Sequence, residues 1–80
     1  RIIIKFIQME NRVIDLLNTF FRVDTITLET AQADVAEWDS LRHLSLIVKI
    51  EEEFDLDFDP TEIGDMTSVA SICAYIKQNS

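Results

Sequence analysis

A single Gly, a single Pro and a single Cys among 80 residues leave little from which to build a turn-rich or cross-linked fold. β architectures need turn residues every few positions, so their scarcity points to an all-α class. Cys73 has no second cysteine with which to form an internal disulfide. Nothing covalent staples the chain, and an unpaired thiol fits a reducing, cytoplasmic setting. Cations are also few: Lys and Arg number 7 against 15 Asp and Glu, a net charge of −8. That balance excludes a general nucleic-acid binder or an anionic-membrane binder, both of which need a positive surface. It suits basic protein partners, or simply keeps a small domain soluble. No apolar run is long enough to span a bilayer, which argues against membrane insertion.

What the chain does have is apolar residues, 48% of the total. At this length it makes one domain, near the size at which a single core only just suffices, so packing between helices must supply the stability. Val13, Ile14, Leu16, Leu17, Phe20 and Phe21 follow helical spacing and predict a first helix from about Met9 to Phe21. From Arg22 to Trp38 the pattern dissolves. So long a loop in so small a domain is functional or pinned by its own side chains, and Ile26, Leu28 and Val35 are expected to plug the core. A second helix is expected from Ser40 to near Phe54, with more apolar positions than one face can bury. Some of Leu41, Leu44, Ile47 and Val48 therefore stay exposed as candidate contact sites. Asp55-Leu56-Asp57-Phe58-Asp59-Pro60 breaks the pattern. A short third helix through Thr61-Glu62-Ile63 follows, with Gly64 expected to stop it. A fourth starts after Thr67, its expected cap, turns Val69, Ile72, Cys73 and Ile76 inward, and frays at Gln78-Asn79-Ser80.

Residues 1–8, Arg-Ile-Ile-Ile-Lys-Phe-Ile-Gln, precede a natural start at Met9-Glu10-Asn11. They read as upstream sequence, an added segment or an extension, with the domain proper spanning residues 9–78. A secretory signal is the competing reading, but the stretch has no small-residue cleavage site and runs directly into helical pattern. If it is helical, Ile2, Phe6, Met9, Val13, Leu16 and Phe20 share one face. That stripe within residues 1–21 would offer a surface for self-association.

Ser40 draws the most attention. A Ser at a helix start usually caps a free backbone N–H. The same place is where a phosphate is best tolerated, because unpaired N–H groups and the helix dipole both favour negative charge. His43, three residues on, and Asp39 beside Ser40 raise a hydrolase reading. No Gly-rich segment offers an oxyanion hole and so small a bundle offers no cleft, so His43 is expected simply at the surface. Trp38 reads as a loop anchor packed on the second helix. Asp55, Asp57 and Asp59 imitate the start of a calcium-binding loop, but Pro60 and Met66 occupy its sixth and twelfth places, where Gly and Glu are needed. No metal site is expected. Glu51, Glu52 and Glu53 sit at the unfavourable, negative end of the second helix. Local stability does not explain them, so contact with a partner is the preferred reading.

Trp38-Asp39-Ser40-Leu41, running into Leu44-Ser45-Leu46-Ile47 and Glu51-Glu52-Glu53-Phe54, closely resembles the acyl carrier protein family. The resemblance continues through Phe58-Asp59-Pro60 and Thr67-Ser68-Val69 and covers about Met9 to Lys77. It implies a four-helix bundle with a short third helix and a long loop between helices one and two. It implies that Ser40 is the attachment point of a 4′-phosphopantetheine arm, moved from coenzyme A by a phosphopantetheinyl transferase. Asp39 would present the serine and Leu41 would join the same recognition surface. The arm's thiol, not Cys73, would carry acyl groups as thioesters between loading, transferring and synthase enzymes, and the chain itself would catalyse nothing. Arg42, Leu44, Val48, Glu51 and Glu52 are the expected partner-binding residues. Carriers of fatty-acid synthesis usually hold acidic residues early in this helix, whereas Arg42, His43 and Ser45 stand here, with Lys49 further on. A dedicated pathway is therefore expected. An aminoacyl or peptidyl carrier is the alternative, although such carriers more often approach the serine through Gly where this chain has Glu37-Trp38. A non-carrying interaction module of the same fold is the other.

Overall fold

Helical periodicity becomes helix in four places. The computed structural model describes residues 2–79, with side chains from Ile4 onward. It contains α1 (Ile2–Phe21), α2 (Ser40–Phe54), α3 (Pro60–Asp65) and α4 (Val69–Asn79). α1 is the central element and packs against both α2 and α4. It contributes Val13, Leu17 and Phe21, each four residues apart and therefore on one face. α2 brings Leu46, Ile47 and Ile50, and α4 brings Val69, Ile72, Cys73 and Ile76, the four positions that the spacing predicts. The all-α bundle with a short third helix and a long first loop is as expected from the sequence.

α1 begins well before Met9. Residues 2–8 contain no helix breaker, so the pattern continues to the start, and the Lys77 ammonium lies 5.0 Å from the centroid of the Phe6 ring. The expected apolar stripe is mostly not an outer surface. Val13 is buried, and Phe6, Met9, Leu16 and Phe20 are half-buried, because α1 is flanked on two sides. The side chain of Ile2 lies outside the described residues. What α1 does expose near its start is Ile4 and Ile7.

The loop between α1 and α2 is pinned by backbone hydrogen bonds more than by plugs. The Gln32 N–H donates to the Thr67 carbonyl at 2.8 Å, and the Val69 N–H donates to the Thr30 carbonyl at 2.9 Å. These form one antiparallel bridge between Ala31 and Ser68. A 3-10 turn at Gln32–Asp34 follows, and Asn18 Oδ1 accepts the Ile26 N–H at 3.2 Å. Ile26 is buried and Val35 packs against the core, but Leu28 is exposed. Leu28, at 38% exposed, does not enter the core but lines an open hollow beside Phe6, Ala70 and Cys73.

Three helix ends also differ from expectation. Gly64 does not stop α3; it lies inside the helix, and Met66 forms the cap. The turn is secured at its other end, where Pro60 opens the helix and Glu62 Oε1 accepts the Asp59 N–H at 2.8 Å. The cap of α4 is Ser68 rather than Thr67: Ser68 Oγ accepts the Ser71 N–H at 3.1 Å, and Ser71 Oγ accepts the Ser68 N–H at 3.0 Å. At the far end Asn79 is tied down, its side-chain amide donating to the Tyr75 carbonyl at 2.8 Å. Ser80 lies outside the described residues.

Candidate functional site

The start of α2 is built by its neighbours. Asp39 is the N-cap: its Oδ1 accepts the Arg42 N–H and its carbonyl accepts the His43 N–H, both at 2.8 Å. Ser40 is therefore the first helical residue and not the cap, which corrects the simplest reading of its position. Its side chain is exposed and makes no hydrogen bond among the described residues. The N–H groups of Ser40 and Leu41 likewise have no partner among the described residues, since the first N–H groups of a helix lack an intrahelical acceptor. An exposed, unengaged hydroxyl thus stands at the positive end of the α2 dipole, beside donors free to meet an anion.

His43 is not a surface residue. It is 7% exposed and bonded through both ring nitrogens. Trp38 Nε1–H donates to His43 Nδ1 at 2.9 Å, and His43 Nε2 lies 2.8 Å from the Ile63 carbonyl oxygen. Indole N–H is only a donor and a carbonyl only an acceptor, so the ring is the neutral tautomer with its proton on Nε2. A histidine so engaged has no lone pair left for Ser40, which removes the hydrolase reading on physical grounds. Instead His43 joins three pieces: the approach to Ser40 through Trp38, the first turn of α2, and the end of α3. Trp38 is buried, stacked on His43 at 6.0 Å and set against Phe21 at 5.5 Å, an anchor as expected. Periodicity could have found His43: it lies three, four and seven residues before Leu46, Ile47 and Ile50, on the same buried face.

Leu41 is 77% exposed, and Leu44 and Val48 are also exposed, whereas Ile47 is fully buried. Leu41, Leu44 and Val48 are spaced by three and four, so they form one apolar stripe leading away from Ser40. Arg42 is exposed on the next line of the helix. The three glutamates differ in what they do. Glu51 Oε2 accepts the Phe58 N–H at 2.8 Å, which holds the segment between α2 and α3. Glu53 pairs with Arg12 at 2.8 Å, both largely exposed, and the Arg12 guanidinium also lies 4.4 Å from the centroid of the Phe54 ring. Glu52 is exposed and makes no such bond among the described residues.

Cys73 is 2% exposed. Burial, with the Glu10 carboxylate adding to it, pushes its thiol up to about 11, so the thiol stays protonated and inaccessible near neutral pH. Among the described residues no cluster of three His, Cys, Asp or Glu side chains is placed to hold a metal ion.

Over residues 11–76 the chain matches the family model described as "Phosphopantetheine attachment site". The chain belongs to that family of carrier proteins. Among solved structures it is similar to the holo acyl carrier protein of Geobacter metallireducens, determined by solution NMR. The two are 25% identical, the match covers 89% of this chain and 84% of that one, and the TM-score is 0.78. As a member of the acyl carrier protein family, the chain is a carrier domain and not itself a catalyst, and its cofactor is 4′-phosphopantetheine. The start of α2 fits such a group, with an exposed, unengaged hydroxyl to esterify and outward N–H groups beside it for a phosphodiester. Carriers of this family interact with phosphopantetheinyl transferases and synthase enzymes. No helix among the described residues is long and apolar enough to cross a membrane.

Proposed function

We propose that Ser40 is the residue that bears the phosphopantetheine arm, and that the chain ferries acyl intermediates as thioesters in a dedicated, cytoplasmic biosynthetic pathway. The observation that carries this reading is the exposed Ser40 hydroxyl, left free because Asp39 has taken over the capping of α2. Other serines fit less well. Ser68 and Ser71 are bonded to each other, and Ser45 lies in the second turn of α2, where helix N–H groups already have partners. The transferase joins Ser40 Oγ to the phosphorus of coenzyme A's phosphopantetheine portion, breaking the pyrophosphate linkage and releasing adenosine 3′,5′-bisphosphate. The arm supplies, once attached, the accessible thiol that the buried Cys73 cannot. Asp39 holds the helix start and so presents Ser40, and Leu41 offers the adjoining apolar contact. The carrier domain takes residues 9–78, with residues 1–8 an extension; the family match lies within those limits. Non-acidic exposed positions early in α2, Arg42 and Ser45, support partners other than those of housekeeping fatty-acid synthesis; His43, buried, takes no part in that surface.

The test is intact-mass measurement after incubation with coenzyme A and a broad-specificity phosphopantetheinyl transferase. One arm is expected on the wild-type chain and none on Ser40→Ala. A wild-type chain that stays unmodified defeats the proposal.

A further inference from the structure

The turn that displays Ser40 lies between residues 38 and 43, and the side chains at its two ends are fastened to each other. Trp38 stands directly ahead of the Asp39 cap, its backbone N–H held by the Val35 carbonyl at 3.0 Å. Its indole N–H reaches His43 Nδ1 at 2.9 Å, one turn into α2. The other ring nitrogen of His43 is on the Ile63 carbonyl at 2.8 Å. Trp38 is also wedged against Phe21, so the indole is held on both sides.

This fastening accepts one protonation state. The neutral ring offers Nδ1 as the acceptor that the indole needs and Nε2–H as the donor that the carbonyl needs. A second proton has only Nδ1 to go to. There it sets two N–H donors against each other inside the fold, where water gives little relief. The Nε2–H bond to Ile63 survives, so α3 keeps its hold and the parting falls on the Trp38 side. The charged groups on the surrounding elements are Arg22 after α1, Glu37 on the loop, Asp39 and Arg42 on α2, and Glu62 and Asp65 on α3. None bonds to the ring: Asp39 accepts the Arg42 N–H, Glu62 the Asp59 N–H and Asp65 the Tyr75 hydroxyl. Histidine is the side chain whose ordinary charge change falls between about pH 5 and 8, and this chain has a single one.

Resting on the carrier reading above, we propose that His43 is a positioning residue for arm attachment. Its neutral ring holds Trp38, and with it the Asp39–Ser40 turn, in the geometry that a transferase accepts. A proton on Nδ1 lets Trp38 go, and Ser40 becomes a poor substrate. Arm loading thereby acquires a pH dependence that belongs to the carrier and not to the enzyme that loads it.

The experiment compares the wild-type chain with His43→Gln, using coenzyme A and one phosphopantetheinyl transferase at about pH 8 and about pH 5.5. Glutamine keeps a donor and an acceptor but does not titrate, and the ratio of the two chains cancels the enzyme's own pH dependence. The kcat/KM ratio of wild type to variant, read by intact mass, is expected to fall about fivefold at the lower pH, the worth of one ordinary hydrogen bond. With a single tryptophan in the chain, its indole N–H resonance reports on the same bond without any enzyme. It is expected to be protected from deuterium exchange at the higher pH and unprotected at the lower, each judged against free tryptophan, with helix content unchanged by circular dichroism. A flat ratio, or equal protection at both pH values, overturns the inference. So does a loss of helix content across the window, because the effect is then unfolding and not the release of one turn. Should His43→Gln fail to fold, the wild-type indole reading decides by itself. A wild-type chain that takes no arm at either pH defeats the carrier reading instead, so the two failures are told apart.

Discussion

Asp39 and His43 bracket Ser40 and do different things for it. Asp39 relieves the serine of capping, so its loss is felt at the helix start. Asp39→Ala is expected to cost about 1 kcal/mol, read from urea denaturation, and to slow arm loading. A variant that loads slowly at full stability would separate recognition from capping. His43 acts inside the fold. Removing its ring strands the Trp38 N–H, at about 1–3 kcal/mol for a buried group left without a partner, while the Ile63 carbonyl keeps the Met66 N–H at 3.3 Å. His43→Phe keeps the ring's bulk and is still expected to lower stability by that order, with a shift in Trp38 fluorescence as its environment changes. Wild-type stability in His43→Phe would mean that water or a rearranged loop replaces the bond to the Trp38 N–H. The burial of His43 was open to the helical spacing, since it shares a face with Leu46, Ile47 and Ile50. Reading it by chemical type, as a polar group near a serine, pointed outward instead.

At the scale of elements, helices carried a readable signal, and their ends only in part: α2 spans Ser40–Phe54 and α1 stops at Phe21 as expected, while the start of α1 and the ends of α3 and α4 differ. The inner faces of α2 and α4 follow from a period of 3.6 residues, because burial repeats wherever the helix turns back to the core. The choice of Ser68 over Thr67 as a cap turns on a reciprocal bond with Ser71, which no periodicity encodes. The bridge between distant residues Ala31 and Ser68, which ties down the long loop, is likewise outside what periodicity encodes. Ser40 itself was legible in its family context, but its freedom from capping depended on the geometry of Asp39. Gly64 illustrates the same limit: glycine reads as a stop, yet here it is an ordinary helical residue with nothing within 4 Å of where a Cβ would sit. Gly64→Ala is accordingly expected to stabilise the chain by about 0.5–1 kcal/mol, since alanine loses less backbone freedom in a helix. A drop in melting temperature would show that α3 relies on glycine after all.

Taken as a whole, the molecule keeps its thiol and its arm-bearing candidate apart: an inert thiol buried in the bundle and a free hydroxyl at the surface. The thiol leaves a mark on pH dependence. Cys73 ionises at about 11 in the fold against an ordinary value of 9.0. The unfolded chain therefore loses this proton first, and stability present below pH 9 declines as pH rises towards 11, by up to about 1.4 kcal/mol per pH unit. Urea denaturation between pH 8 and 11 is expected to show that decline in the wild type and a shallower one in Cys73→Ala. Identical slopes would place the thiol in contact with water. The surface hydroxyl bears the central claim, and tandem mass spectrometry of the arm-loaded chain after proteolysis tests it most directly. The added mass of phosphopantetheine is expected on the Ser40 residue of the peptide spanning the start of α2; finding it on Ser45, Ser68, Ser71 or any other side chain would contradict the account.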